Sequence, residues 1–378
     1  MVIQSFLPVL GGAQRQVDLL APLMRRRGVD VVVVTRRPAG APKTETRPGL
    51  RVIRMPGPEH GAAASIRYTL AGTTTVARLR PDVIHVYDLL SPATIGLLSG
   101  PMTAAPVVAK VLSTGPGGDL DRLAQKPLGK TRLKEISRRF STFICLSEQV
   151  RADLAAEGVA KAKLRRIPNG VDLGRFHPPD GPERTTLRRE LGIPVGGQVA
   201  LYSGRFDPVK RVDLLLEAVA RSDDTHLLLL GEGPCHADLL RLTAEHGIAD
   251  RVTFMPRTDD PAPVYRAADL YVSASTTEGM SNSMLEAMAS GLPIVTTTAS
   301  GTGELVRPGT GTVVAGADPG GAIGHELDRI AGDPEWLRQH GAGARRLVEA
   351  EFSLETVAEL LVSLYEELAA TAARARAA

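Results

Sequence analysis

Cysteine is nearly absent from the chain: Cys145 and Cys235 are the only two, far apart in sequence, and Cys145 lies inside the apolar run Thr142-Phe143-Ile144-Cys145-Leu146. A disulfide framework or a cysteine-bound zinc needs more thiols at closer spacing, so both are read as core or incidental residues. Long apolar runs are missing too, since none approaches the roughly eighteen residues that cross a bilayer. The N-terminus lacks the charged-then-apolar order of a secretory leader, and no stretch has the composition of a disordered tail. A cytosolic protein is expected. Net charge is only +3, but residues 1–170 hold 26 Lys and Arg against 12 Asp and Glu, and the remainder holds 19 against 30. That asymmetry suggests a basic lobe that meets something anionic; the plain alternative is an arginine-rich solvated surface.

What the chain does have is alternation. At 378 residues and 43% hydrophobic it can build two globular domains with substantial cores. The β-branched run 29–35 reads as a strand covered on both faces. Strands at 50–55, 83–86, 107–112, 143–146 and 164–167 alternate with helices at 12–27, 64–79, 92–98 and 148–156, the order of right-handed βαβ units on a parallel sheet. Residues 1–7 read as an opening strand shorter than usual, and a longer natural protein is expected to complete it. A turn-rich stretch at 168–182 marks the exit from a first domain, 1–170. A second domain, 171–353, repeats the pattern with strands at 198–203, 227–230, 251–255, 268–275, 294–297 and 311–314, and a turn at 300–304. The last segment, 354–378, carries a helix with Val357, Leu360, Leu361, Leu364 and Leu368 on one stripe.

Two stretches of the second domain carry the chemistry. Glu278-Gly279-Met280-Ser281-Asn282-Ser283-Met284-Leu285-Glu286 spans a strand-to-helix turn. In an open α/β sheet such turns lie at the carboxyl edge, where ligands bind, and the free N–H groups of the helix start favour an anion. Glu278 and Glu286 would repel a phosphate, so they suit neutral hydroxyls around one. The structural alternative is a capping box, Ser283-x-x-Glu286, with Glu278 an ordinary loop carboxylate. Upstream, Gly204-Arg205-Phe206-Asp207-Pro208-Val209-Lys210 follows a strand and precedes a helix. Arg205 as a fork and Lys210 as a point charge can close on one diphosphate. Gly231 and Gly233 are read as clearing space beside a nucleotide, or as a simple turn. In the first domain, Gly11 and Gly12 open a helix where a ligand could approach the backbone.

The run EGMSNSMLEAMASGLPIV, 278–295, resembles the signature of the family-4 retaining glycosyltransferases of the GT-B fold, as do 204–210 and the Ile167-Pro168-Asn169-Gly170-Val171-Asp172 hinge. The resemblance implies an α/β protein of two Rossmann-like domains facing each other across a cleft, with an acceptor-binding first domain, a donor-binding second one and a last helix returning to the first. It implies catalytic roles for Arg205, Lys210 and Glu278, with Glu278 on the transferred sugar and Glu286 on the donor ribose. Gly11, Gly12, Gly204, Gly279, Met280, Ser281 and Asn282 then line the donor, and Arg257 lies near its base. The implied reaction moves a sugar from a nucleotide diphosphate, UDP-sugar first and GDP-mannose second, to an acceptor hydroxyl with retention. No metal and no other cofactor is expected. Where relatives carry a glutamate in the glycine turn, this chain has Gln14. Other readings are a sugar-nucleotide epimerase or hydrolase of the same fold, or an inactive nucleotide-sugar-binding partner protein; the second is expected to have lost one of the four charged residues, all present here.

The acceptor is open. His85 and Asp88 close a strand, and His85 is read first as structural, with acid-base duty as the lesser reading. A glycine-rich loop covers 110–119, and 126–140 reads as a basic amphipathic helix that either docks an anionic lipid or phosphorylated acceptor or packs with a solvated basic face. The expected partners are the donor and a lipid-linked, anionic or small soluble acceptor, with peripheral membrane contact through the basic domain and no nucleic acid.

Overall fold

The computed structural model describes residues 1–9, 11–56, 61–298 and 302–377. The chain divides into two units: 1–170 joined by 354–378, and 171–353.

In the first unit the strands are β1 (Val31–Arg36), β2 (Thr44–Arg47), β3 (Leu50–Met55), β4 (Ile84–Tyr87), β5 (Val107–Val111), β6 (Thr142–Cys145) and β7 (Leu164–Arg166). They pair in two runs, β1-β3-β2 and β4-β5-β6-β7. The opening residues join the runs. Val2 bridges Val34 on one side and Val86 on the other, with Ile3 N–H donating to Val34 O at 3.1 Å and Tyr87 N–H to Val2 O at 2.9 Å. The expected seven-residue strand is therefore a short central bridge, after which the chain bends. β2 departs from the parallel scheme. It pairs antiparallel with β3 through a tight turn at Pro48-Gly49. Gly49 is obligatory there, with φ +73° and Pro22 backbone atoms 2.5 Å from where a Cβ would sit.

The terminal helix Leu354–Ala377 buries Val357, Ala358, Leu361 and Leu364 in a core shared with the helix Gly12–Arg26 and with Val31, Val33 and Val52 of the sheet. Leu360, expected on that stripe, is 42% exposed. Gln16 clamps the end of this unit's first segment. Its Nε2 donates to Gly170 O at 2.7 Å and its Oε1 accepts from Gly170 N–H at 2.8 Å.

The second unit is one six-stranded sheet: β8 (Gln198–Ser203), β9 (Thr225–Leu230), β10 (Val252–Met255), β11 (Leu270–Ser273), β12 (Ile294–Thr297) and β13 (Gly311–Val314). The order is β10-β9-β8-β11-β12-β13, and all pairs are parallel. The near-continuous burial of β8, β9 and β11 is what a sheet covered on both faces requires. From β8 the chain steps outward to β9 and β10, then returns to lie on the other side of β8 as β11. That reversal is a topological switch point, and the crevice outside the carboxyl ends of the two flanking strands is where such sheets take ligands. The expected turn at 300–304 falls partly outside the described residues; the helix Thr302–Leu305 follows.

Candidate active site

The two charged stretches follow the two strands at the switch point of the second unit. β8 and β11 are hydrogen-bonded neighbours, with Leu270 opposite Ala200 and Tyr271 opposite Leu201. Arg205 and Lys210 come off β8, and Glu278 and Glu286 come off β11. The loops are tied together: Thr276 donates from N–H and from its hydroxyl to Val209 O, at 3.0 and 3.2 Å. Next to that tie, Lys210 Nζ forms an ion pair with Glu278 Oε2. Arg205 is not part of this pair. Its side chain is 72% exposed, with Nε 3.6 Å from Asp207 Oδ2.

The helix Asn282–Ala289 starts behind an N-cap, and the cap is Ser281, whose hydroxyl accepts from Met284 N–H at 3.3 Å. Ser283 is inside the first turn and bonds the Tyr271 hydroxyl at 2.9 Å instead. A capping box on Ser283 is thereby excluded. Glu286 is 8% exposed, and Tyr265 donates its hydroxyl to Oε2 at 2.9 Å. Gly279 and Met280 are buried ahead of the cap, and Asn282 is half-buried.

Three tyrosines that the sequence presents only as apolar-run residues form a buried floor under these loops. Tyr202 donates to Arg205 O at 3.1 Å, Tyr271 to Ser203 O at 3.3 Å, and Tyr265 to Glu286. Burial pushes each hydroxyl up from its ordinary value, so all three remain protonated donors. Spacing in the sequence carried no sign of them, because a buried tyrosine hydroxyl is indistinguishable from a core ring until its partner is placed.

Gly231 and Gly233 lie against the backbone of the neighbouring loop. A Cβ on Gly231 would lie 1.9 Å from Gly204 O, and one on Gly233 would lie 2.3 Å from Phe206 O. They admit the backbone of the Gly204–Phe206 loop, which Phe206 N–H to Glu232 O and Cys235 N–H to Phe206 O then fasten, at 2.9 and 3.1 Å. Gly204 itself donates to Leu230 O at 3.0 Å. Arg257 is exposed just past β10, two strands from β8, or about 10 Å at ordinary strand spacing.

In the first unit the equivalent sheet edge holds Gly11, Gly12 and Asp88. Gly11 is the extended N-cap of the helix Gly12–Arg26, which has no side-chain cap. Gln14 Nε2 donates to Ser5 Oγ at 2.9 Å. His85 is removed from acid-base duty: 2% exposed, it stacks on Tyr87 with centroids 4.5 Å apart and meets the Tyr365 hydroxyl at 2.5 Å. Burial holds its pKa well below the ordinary value. Asp88 has φ +77°, accepts from Leu90 N–H at 2.7 Å, and is pushed up to about 7 by burial and then by Asp119. Lys110 is also buried, donates to Asn169 Oδ1 at 3.0 Å, and is lowered to about 7 by desolvation. The basic segment is a helix, Gly129–Arg139, that packs Leu133 and Ile136 inward. Arg138 and Arg139 pair with Glu135, while Arg132 donates to Leu90 O and Thr94 Oγ1 at 3.1 and 2.7 Å.

The chain holds one Asp-x-Asp triplet, Asp119-Leu120-Asp121, in the first unit. Asp119 accepts from Leu112 N–H and pairs with Arg122, and Asp121 accepts from Gly117 N–H. Among the described residues no three His, Cys, Asp or Glu side chains gather to hold a metal ion, and no helix is long and apolar enough to cross a membrane. Both cysteines are free.

A family model for the glycosyl transferase 4-like domain matches residues 11–170, and one described as glycosyl transferases group 1 matches residues 197–333. The chain is 30% identical over 372 residues to the D-inositol 3-phosphate glycosyltransferase of Mycobacterium tuberculosis, spanning 90% of this chain and 76% of that protein. Among solved structures, sucrose-phosphate synthase from Thermosynechococcus elongatus superposes with a TM-score of 0.84 at 27% identity, over 98% of this chain and 99% of that one. Anabaena HepE in complex with UDP-glucose superposes with a TM-score of 0.80 at 18% identity, over 97% and 99%. With a transferase family matched in both units and the GT-B fold shared, the chain belongs to the group 1 glycosyltransferases.

Proposed function

We propose that the enzyme moves a sugar from a nucleoside diphosphate, UDP-sugar first, to an acceptor hydroxyl with retention of configuration and without a metal ion. The observation that carries the reading is the placement of Arg205, Lys210, Glu278 and Glu286 on the two strand ends flanking one switch point. The complex of HepE with UDP-glucose supports the donor class.

In this reading Arg205 and Lys210 take the diphosphate and stabilise the charge that grows on it as the glycosidic bond breaks. The N–H groups at the start of Asn282–Ala289, behind Gly279, Met280 and Ser281, add the helix end to that potential. Glu278 accepts from a hydroxyl of the transferred sugar, Glu286 from the ribose, and Gly204 lets the phosphates approach the backbone. Arg257 lies toward the base. The acceptor oxygen attacks the anomeric carbon on the face that the diphosphate leaves, and its proton passes to the departing phosphate oxygen. No side-chain base is then required.

The acceptor is taken by the first unit, which holds 28 Lys and Arg against 16 Asp and Glu. An anionic acceptor fits that charge, and the phosphate in the names of the mycobacterial enzyme and of the synthase supports it. The exposed Lys130 and Lys134 offer the same charge to an anionic membrane face as the site of peripheral contact. The test is release of nucleoside diphosphate from UDP-glucose, UDP-galactose, UDP-N-acetylglucosamine and GDP-mannose, with and without a panel of sugar and cyclitol phosphates, in EDTA. Acceptor-dependent release, with an α-anomeric product by NMR from an α-linked donor, supports the reading. Release equal with and without every acceptor points to a hydrolase, and a β-anomeric product moves attention to Asp88 as a base.

A further inference from the structure

Glu286 is a carboxylate placed where its orientation must be imposed. It lies in the second turn of Asn282–Ala289 and is 8% exposed, on a helix that also buries Met284, Leu285, Ala287 and Met288. A group so enclosed needs hydrogen bonds, and the direction of those bonds decides where its oxygens point. Tyr265, on the short helix Ala262–Ala267 that leads into β11, supplies one of them at 2.9 Å.

The tyrosine is itself held. Its side chain is 0% exposed, and Phe176 packs edge-on against the ring with centroids 5.4 Å apart at 85°. Arg345 Nη1 donates to both Phe176 O and Ala289 O, at 2.7 and 2.6 Å, and so joins the residue that wedges the ring to the helix that carries Glu286. A phenylalanine at 265 would fill the same space. What only tyrosine adds is the donor.

We propose that Tyr265 is a positioning residue for the donor: its buried hydroxyl holds Glu286 in the orientation from which the carboxylate accepts a ribose hydroxyl, so that selection of ribonucleotide over deoxyribonucleotide depends on a group that never touches the ligand. The proposal rests on Glu286 being the ribose acceptor. Burial and the charge of Glu286 keep the hydroxyl protonated, so it donates throughout the working pH range.

The experiment is calorimetric binding of UDP, 2′-deoxy-UDP and GDP to the whole chain and to Tyr265→Phe, Glu286→Ala and the double variant. The native protein is expected to prefer UDP over 2′-deoxy-UDP by about tenfold or more. Tyr265→Phe should cut that preference to about threefold or less while leaving 2′-deoxy-UDP affinity within about twofold, because only the contact made through Glu286 is lost. The double variant should match Glu286→Ala, since the hydroxyl has nothing left to position. A preference unchanged in Tyr265→Phe, or equal weakening of both uridine nucleotides, overturns the proposal. Native binding of UDP with no preference overturns the role of Glu286 and the proposal with it, and binding of neither UDP nor GDP overturns the donor reading itself. If Tyr265→Phe does not fold, Glu286→Ala carries the test: a preference for UDP over 2′-deoxy-UDP that survives loss of the carboxylate overturns the proposal.

Discussion

Replacing Glu278 by Gln is expected to separate donor binding from turnover. In the free protein Lys210 and Glu278 neutralise each other, their side chains 25% and 17% exposed. Two unit charges about 4 Å apart attract by about 4 kcal/mol at an effective dielectric near 20. Solvent screening at a partly exposed pair leaves on the order of 1 to 2 kcal/mol. A diphosphate has to win Lys210 against that competition. Glu278→Gln removes the charge and keeps the shape, so UDP should bind about tenfold tighter, the equivalent of about 1.4 kcal/mol. Turnover should go the other way, with kcat lower by about 10²–10³ because an interaction with the reacting sugar is lost. Lys210→Ala leaves the Glu278 charge facing the phosphates, so UDP should bind more than about tenfold weaker, and the double variant should recover part of that loss. Calorimetry with UDP and a nucleotide-release assay read both halves. A Glu278→Gln variant that binds UDP no tighter than the native protein would refute the reasoning, because Lys210 would then not be the cation that the two anions share.

Three further outcomes follow from the geometry. Asp88 is pushed up to about 7 from an ordinary 3.8, so between those values the fold holds a proton that the unfolded chain releases, and stability falls as pH rises through that window. Asp88→Asn should therefore raise Tm by a few degrees at pH 8 and leave it near the native value at pH 4, measured by scanning calorimetry. Gly231→Ala places a methyl 1.9 Å from Gly204 O at a φ of +155°, and should destabilise the second unit by about 3 kcal/mol or more, visible as a lower denaturation midpoint and a loss of UDP binding. Excess EDTA should leave the rate of sugar transfer within about twofold, because the positive charge at the diphosphate comes from Arg205 and Lys210; a rate that collapses and returns with magnesium contradicts metal-free transfer.

Much of the fold was legible because parallel strands buried on both faces announce themselves as apolar runs. β8, β9 and β11 were visible for that reason. β2 was not: Thr44-Glu45-Thr46-Arg47 has no apolar residue, and its place is set by the tight turn and by pairing with β3. The opening strand was over-read, since residues 1–7 are mostly apolar but only Val2 bridges strands on both sides. At the site, residue types were legible and pairings were not. Lys210 and Glu278 are far apart in sequence, and they meet because β11 returns to the flank of β8. The capping-box spacing singled out Ser283, whereas the helix is capped by Ser281. The difference lies in the Tyr271 hydroxyl, which claims Ser283 and leaves Ser281 to cap the helix. His85, read first as structural, is a core residue held under Tyr365 of the terminal helix, and its lesser acid-base reading falls away.

The most direct test of the central claim is a crystal structure of the UDP complex obtained in EDTA. The account predicts the diphosphate oxygens within about 2.7–3.1 Å of Arg205 and Lys210, with a ribose hydroxyl on Glu286. A nucleotide bound away from the carboxyl ends of β8 and β11, or a diphosphate that touches neither cation, would contradict it.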